Sequence, residues 1–338
     1  MEFTAGGRLE VRITRDDVGK RVSVRRLAGA TDSGRRFTDT VGVLTSWTED
    51  VLMITRRDGE MVRINESDLV AGKVVPAAPA RRRGPATSAR ELDGVAARAW
   101  PPVESARIGG WQLRAAGGFT RRANSVLPLE DPGVPLDEAL ARARAWYDAR
   151  ALPTYLQVST GAAGTHEELA AELATRGWTR EVSAEVRIAG LAPVGDLPAD
   201  VSRVALTREI DDRWLAAYQR FVRPAPEVRQ VLCGGPSVWF ATVPGDGEDD
   251  APAAIGRCVV DGRWAGFTAV EVGPAHRRRG LATAVMAALA RRALEEGASA
   301  AYLQVETDNE GARALYDGMG FATHHTYHHW RAPQGGPR

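Results

Sequence analysis

The feature that most constrains the fold is a hexapeptide that is written twice. Tyr155-Leu156-Gln157-Val158-Ser159-Thr160 recurs as Tyr302-Leu303-Gln304-Val305-Glu306-Thr307. Each copy follows an amphipathic helical pattern. Leu136, Leu140 and Ala143 to Tyr147 supply the apolar face of the first, and Leu281, Val285, Leu289 and Ala293 that of the second. Each copy precedes a shorter helix that stops at a glycine and an aromatic, Gly177-Trp178 and Gly320-Phe321, where a left-handed C-cap is wanted. Each closes on a strand, Val182 to Ile188 and His324 to Trp330. One matching hexapeptide could arise by chance, but the shared order around it would not. The pattern predicts one α/β unit over 93–195 and a second over 200–333.

At 338 residues the chain has room for several domains. Residues 8 to 76 read as short strands: Val22 and Val24 alternate with polar neighbours, Phe37 to Thr45 and Val51 to Ile54 are rich in β-formers, and Asp58-Gly59 is a hairpin signal before Met61, Val62 and Ile64. A small all-β, SH3-like barrel over 1–78 is expected, as a docking or spacer module. Residues 79–92, rich in Ala, Pro and Arg, read as a linker, with Arg81-Arg82-Arg83 as a solvated charge run.

Bulk composition excludes more than it selects. The formal net charge is +1, so no strong field favours nucleic acid or an anionic membrane. Lys20 and Lys73 are the only lysines among 44 basic residues, a coding bias with little functional content. Cys233 and Cys258 alone make no disulfide framework. Met1 to Glu10 has no apolar core of signal-peptide length, and no stretch approaches the ~20 apolar residues of a membrane helix. A cytoplasmic protein is expected.

The chemistry concentrates in the second unit. Asp261-Gly262 turns the strand Ala254 to Val260 into the strand Trp264 to Val272, and Pro274 ends the latter. Arg277-Arg278-Arg279-Gly280-Leu281-Ala282 then opens the long helix. A strand, a tight loop and a helix N-terminus make an anion site, because free N–H groups and the positive helix end point at the loop. Gly280 permits close backbone approach, and the arginines add charge-assisted bonds. A pyrophosphate is the expected ligand.

This arrangement resembles the GNAT superfamily of N-acetyltransferases. Arg277, Gly280 and Ala282 match its Arg/Gln-x-x-Gly-x-Gly/Ala pattern. Val270-Glu271-Val272 before Pro274 matches the strand that lies along pantetheine. Asn309-Glu310-Gly311-Ala312-Arg313-Ala314-Leu315-Tyr316, followed by Gly320-Phe321, matches the second signature. The resemblance covers 200–333 and implies an α/β (α+β) GNAT fold, in tandem copies, behind the all-β barrel. It implies that acetyl-CoA is the acetyl donor and that an amine is the acceptor. The pyrophosphate would lie on Arg277, Arg278, Arg279, Gly280, Leu281, Ala282 and Thr283. The pantetheine arm would lie on the backbone of Val270 and Val272. Asn309 would be a helix cap or a contact to that arm, and Tyr316 the acid that protonates the departing thiolate.

The base is not evident. A lysine acceptor must lose a proton at a cost of about 4–5 kcal/mol at neutral pH. Many GNAT enzymes carry a Glu where this chain has Gln304, and strand alternation puts the nearby Glu271 on the face opposite Val270 and Val272. His324 and His328 face one way and His325 and His329 the other, two per face, which is short of a structural metal site. That strand borders the acceptor channel in GNAT folds, and one of its faces is a candidate for substrate contact. Trp214, Tyr218 and Phe221 read as an amphipathic helix in the core, although the resemblance also implies a wall of the acceptor site there. The first unit has Pro132-Gly133-Val134-Pro135 before its helix instead of the anion loop, so it reads as a degenerate copy. Its Gly118 to Ser125 segment either completes the acceptor site or forms a strand edge.

The layout resembles an actinobacterial GNAT family, some of whose members are assigned as N-acetylglutamate synthases. The leading expectation is acetyl transfer to the α-amine of a small acceptor such as glutamate. The alternatives are a protein lysine or N-terminal acetyltransferase whose barrel recruits the target, and a non-catalytic acetyl-CoA sensor.

Overall fold

The computed structural model describes residues 10–27, 37–55, 61–75, 84–219, 225–247 and 250–333. These fall in two compact units, Met1–Arg83 and Gly84–Arg338. The Asp58-Gly59 turn, Arg81 to Arg83 and Phe221 lie outside the described residues.

The first unit is all-β. Strands β1 (Arg21–Leu27), β2 (Phe37–Thr48), β3 (Val51–Thr55), β4 (Met61–Asn65) and β5 (Leu69–Val74) form one antiparallel sheet, in the order β4-β3-β2-β1-β5. The alternation read in β1 is realised: Val22 and Val24 are buried with Leu44, Leu52, Ile54 and Ile64 in a small core of their own. Among the described residues β4 and β5 stand at the two edges of the sheet.

The second unit opens with α1 (Ala89–Ala99), which begins inside the segment expected as linker because Ser88 caps it, its hydroxyl accepting from Glu91 N–H. The first repeat then runs through β6 (Glu104–Ile108), β7 (Trp111–Ala115), β8 (Leu127–Pro128), α2 (Leu136–Asp148), β9 (Tyr155–Thr160), α3 (Glu167–Thr175) and β10 (Thr179–Gly190). After α4 (Leu191–Gly195) and β11 (Ala205–Thr207) come α5 (Asp212–Ala217) and α6 (Pro226–Cys233). The second repeat follows as β12 (Ser237–Val243), β13 (Ala254–Asp261), β14 (Trp264–Val272), α7 (Leu281–Glu295), β15 (Ala300–Glu306), α8 (Glu310–Gly318) and β16 (Ala322–Arg331). The helix expected through Trp214, Tyr218 and Phe221 ends at Ala217, and Tyr218 takes extended backbone angles. No helix among the described residues is long and apolar enough to cross a membrane.

Both expected repeats lie in this one compact unit and contribute to one eight-stranded sheet, β11-β12-β13-β14-β15-β10-β16-β9, while β6, β7 and β8 of the first form a separate three-stranded sheet. The closing strands are exchanged. β10, from the first repeat, pairs with the second repeat's hexapeptide strand β15, and β16 pairs with the first repeat's hexapeptide strand β9. β10 and β16 pair with each other antiparallel, with Ala184 opposite Tyr327. Ala184 faces Glu306 and Tyr327 faces Ser159, which are equivalent positions of the two hexapeptides. The Ala184–Tyr327 pair therefore marks a local pseudo-two-fold axis. Gly177 and Gly320 end the short helices with φ of +72° and +88°, as their C-cap role requires. Trp178 and Phe321 behind them are buried.

Candidate active site

β14 and β15 are parallel neighbours only from Trp264/Ala300 to Phe267/Leu303. Beyond that point they diverge, and the sheet opens. Part of the cause is local: Gly256 of β13 faces an irregular step in β14, where Ala269 adopts φ +52°. An extra residue of this kind bends a strand and strengthens its twist. Gly273 N–H donates to Ala253 C=O, so β-alternation turns the Val272 N–H and C=O away from β13. Val270 stands two residues earlier, just past the irregular step.

The opening is a cleft of about 950 Å³. Val270 and Val272 line one wall, and the start of α7 lines another through Arg277, Arg278, Gly280, Leu281, Ala282 and Thr283. Gly280 is the N-cap of α7 with φ +77°, and Arg278 has φ +63°. Two left-handed residues in a row of three make the turn tight enough to aim the helix start into the cleft. The first bond of α7 runs from Ala284 N–H to Gly280 C=O, leaving the N–H groups of Leu281, Ala282 and Thr283 without an intrahelical acceptor. A Cβ built on Gly280 would meet no atom within 4 Å, so it is the backbone conformation that demands glycine here. Arg279 is the expected site residue that does not line the cleft. Its guanidinium turns to His276 Nδ1 at 2.9 Å and to Asp246 at 3.5 Å.

α8 supplies Asn309 and Tyr316 to the same cleft. Asn309 Oδ1 accepts from Ala312 N–H at 3.1 Å, so it caps α8. The Tyr316 ring packs edge-on against Phe321 at 5.9 Å. Burial pushes its phenol up to about 12, so it stays protonated at neutral pH and remains a competent proton donor.

The opposite side of the cleft is built partly by the first repeat. Asn124 is buried and uses its whole amide: Oδ1 accepts from Ala116 and Gly118 N–H, and Nδ2 donates to the Phe119 and Thr120 carbonyls. This hub holds the 116–124 loop so that Thr120, Arg121 and Arg122 reach the cleft. Arg122 lies over the Trp100 ring at 4.6 Å and donates to Gln304 Oε1 at 2.7 Å. The exchanged strands add Ala184 and Val182 from β10 and Tyr327 and His329 from β16. The sequence pointed to the Gly118 to Ser125 segment only as one of two options. It gave no sign that β10 enters the site, since strand exchange leaves no local signature.

Two carboxylates line the cleft, Glu306 and, against the alternation expected for its strand, Glu271, whose side chain accepts from Gln219 N–H at 2.9 Å. Of the four histidines, His325 is buried against Asp93 at 3.2 Å and His328 bonds Thr160 and Ser183. Among the described residues no group of three or more His, Cys, Asp or Glu side chains is placed to hold a metal ion.

Two protein-family models match this chain. One, described as the C-terminal part of the probable histone acetyltransferase Rv0428c, matches residues 86–330. The other, the Rv0428c N-terminal Sm-like domain, matches residues 16–73. The chain belongs to this Rv0428c-like family. It is an acyltransferase of the GNAT type. The probable histone acetyltransferase Rv0428c of Mycobacterium tuberculosis is 28% identical over 316 residues, covering 91% of this chain and 93% of the relative. An uncharacterized N-acetyltransferase of Bacillus subtilis, YobR, is 26% identical over 250 residues, covering 72% of this chain and 97% of the relative. Two solved structures share the fold. A GCN5-related N-acetyltransferase from Kribbella flavida has a TM-score of 0.54 at 16% identity and covers 73% of this chain and 96% of its own. A tandem GNAT protein from the clavulanic acid biosynthesis pathway has a TM-score of 0.51 at 17% identity, with coverage of 76% and 92%.

Proposed function

We propose that the chain transfers an acetyl group from acetyl-CoA to the amine of a small acceptor, with L-glutamate the leading choice. One observation carries this reading: signature residues from β14, the α7 start and α8 line a single cleft whose far side carries arginines. The pyrophosphate sits on the free N–H groups of Leu281, Ala282 and Thr283, with Arg277 and Arg278 alongside. Pantetheine runs along the unpaired edge of β14, where the Val272 backbone points outward. The acceptor amine attacks the thioester carbon, the C–N bond forms, and the tetrahedral adduct collapses. The departing thiolate takes the Tyr316 proton, and the amine proton leaves to solvent or to the acceptor side.

Arginines on the acceptor side repel a lysine-rich tail and attract an acidic molecule. A second reading, transfer to a protein lysine, is favoured by the description of the mycobacterial relative as a probable histone acetyltransferase. In that reading the N-terminal all-β unit, which resembles an SH3-like barrel in sequence, docks the target protein.

The test is acetyl-CoA-dependent thiol release by the full-length protein over a panel of amino acids and lysine peptides. Glutamate-dependent release supports the first reading. Release with peptides alone replaces it with the second.

A further inference from the structure

The acceptor side carries more positive charge than its protein partners balance. Arg114 is buried, and its guanidinium donates to Ser125 C=O, Ser125 Oγ and Gln157 Oε1, all uncharged. Arg122 makes its hydrogen bond to the Gln304 amide, which leaves other guanidinium N–H groups for a ligand. Arg121 has Glu181 at 3.3 Å, but that carboxylate also takes Arg331 at 3.2 Å and the Tyr155 hydroxyl at 2.8 Å.

His329 sits among these groups on β16, opposite Gln157 of β9 and Val182 of β10. It is 2% exposed and lines the cleft, and neither of its ring nitrogens has a hydrogen-bond partner among the described residues. The rings of Tyr327, at 5.4 Å, and Tyr155, at 6.3 Å, flank it edge-on. Burial first, and then the charges of Arg114, Arg121, Arg122 and His328, hold its imidazole well below the ordinary value of 6.5. Buried polar atoms are normally paired, and an unpaired one in a cleft wall is a place for a ligand. Here the surrounding field selects an anion.

We infer that Arg121, Arg122 and His329 form an anion subsite that takes a carboxylate of the acceptor, remote from its reacting amine. The inference rests on the reading of this cleft as the acceptor site and adds a specificity-determining group to it. β16 is two strands from β15, about 10 Å across at ordinary strand spacing. Arg122 spans part of that interval, because it already touches Gln304. A guanidinium fork and one imidazole N–H match the planar, two-oxygen geometry of a carboxylate. An acceptor with its amine at the strand opening and a carboxylate toward β16 fits this layout, and a neutral or cationic side chain does not.

The test is calorimetric titration of the full-length protein, with and without coenzyme A, using glutarate as probe and its neutral diamide glutaramide as control. Glutarate should bind, with glutaramide at least tenfold weaker. Arg122→Gln and His329→Gln should each weaken glutarate about tenfold while leaving coenzyme A affinity within about twofold. His329→Ala and Arg121→Gln provide second variants should either protein fold poorly. Equal binding of the two probes, no glutarate binding, or variants that leave glutarate affinity intact would each overturn the subsite. Tighter binding of inorganic phosphate than of glutarate would overturn the carboxylate assignment. Failure of coenzyme A to bind while glutarate still does would count against the proposed reaction and not against the subsite.

Discussion

Arg122 Nη1 donates to Gln304 Oε1 at 2.7 Å, joining the first repeat to the hexapeptide of the second across 182 residues. The bond gives a physical reason for an amide at a position where many GNAT enzymes carry Glu. An amide oxygen holds the guanidinium without cancelling its charge, whereas a carboxylate would cancel it. Gln304→Glu is therefore not expected to supply the missing base. The new carboxylate would pair with Arg122 and be held ionised and occupied. Steady-state kinetics should show acceptor KM rising on the order of tenfold, with the acetyl-CoA constant unchanged. A rise in kcat would mean that position 304 can act as a base after all.

Gly280 tests the cofactor grip in two steps. Gly280→Ala forces a Cβ onto a left-handed residue at the start of α7, which should cost about 1 kcal/mol of stability by denaturant melt. Since no protein atom lies within 4 Å of that Cβ, folding should survive. Gly280→Glu adds both bulk and negative charge in the space assigned to the pyrophosphate. Calorimetry should show no acetyl-CoA binding by this variant; retained affinity would remove the loop from the cofactor site.

Tyr316 separates chemistry from binding. Tyr316→Phe keeps the ring against Phe321 and removes only the proton donor. Turnover should drop by about 10²–10⁴-fold, the usual range for losing a general acid, with acetyl-CoA affinity changed far less. Because burial pushes the phenol up to about 12, its ionisation should produce no alkaline fall in kcat below about pH 10. Equal turnover by the Phe variant would make Tyr316 a packing residue.

The parts of this fold that were legible in sequence are those set by local physics. The Gly177-Trp178 and Gly320-Phe321 stops reflect a C-cap conformation that few residues tolerate. The Arg277 to Ala282 loop reflects the left-handed turn, at Arg278 and Gly280, from which the helix starts. Arg279 escaped the motif because its direction depends on Asp246 and His276, whose approach is tertiary. The exchange of β10 and β16 was invisible, because a strand's own residues do not name the edge that it joins. Ala184 and Tyr327 become neighbours only once both repeats have folded. For the same reason His329 read as one of four alternating histidines. Its surroundings follow from where β7 places Arg114 and the 116–124 loop places Arg121 and Arg122.

The histidines also set an acid limit on stability. His324, His328 and His329 are all held below the ordinary 6.5, and burial is the leading cause in each case. A depressed folded value means that the unfolded chain binds more protons once the pH falls below the unfolded value. The stability in question is complete above about pH 7 and is lost as the pH falls below the unfolded value and through the depressed folded ones. The melting temperature should thus be flat on the neutral side and decline on the acid side. His329 is the most deeply buried of the three and is held furthest below the ordinary value, so it should account for the largest single share. Replacing it by Gln removes one titration and should make the acid slope shallower by up to about 1.4 kcal/mol per pH unit. Thermal melts of both proteins across that range decide the matter. Parallel curves would show that His329 takes up its proton in the folded state, and that the arginine field around it is weaker than the geometry implies.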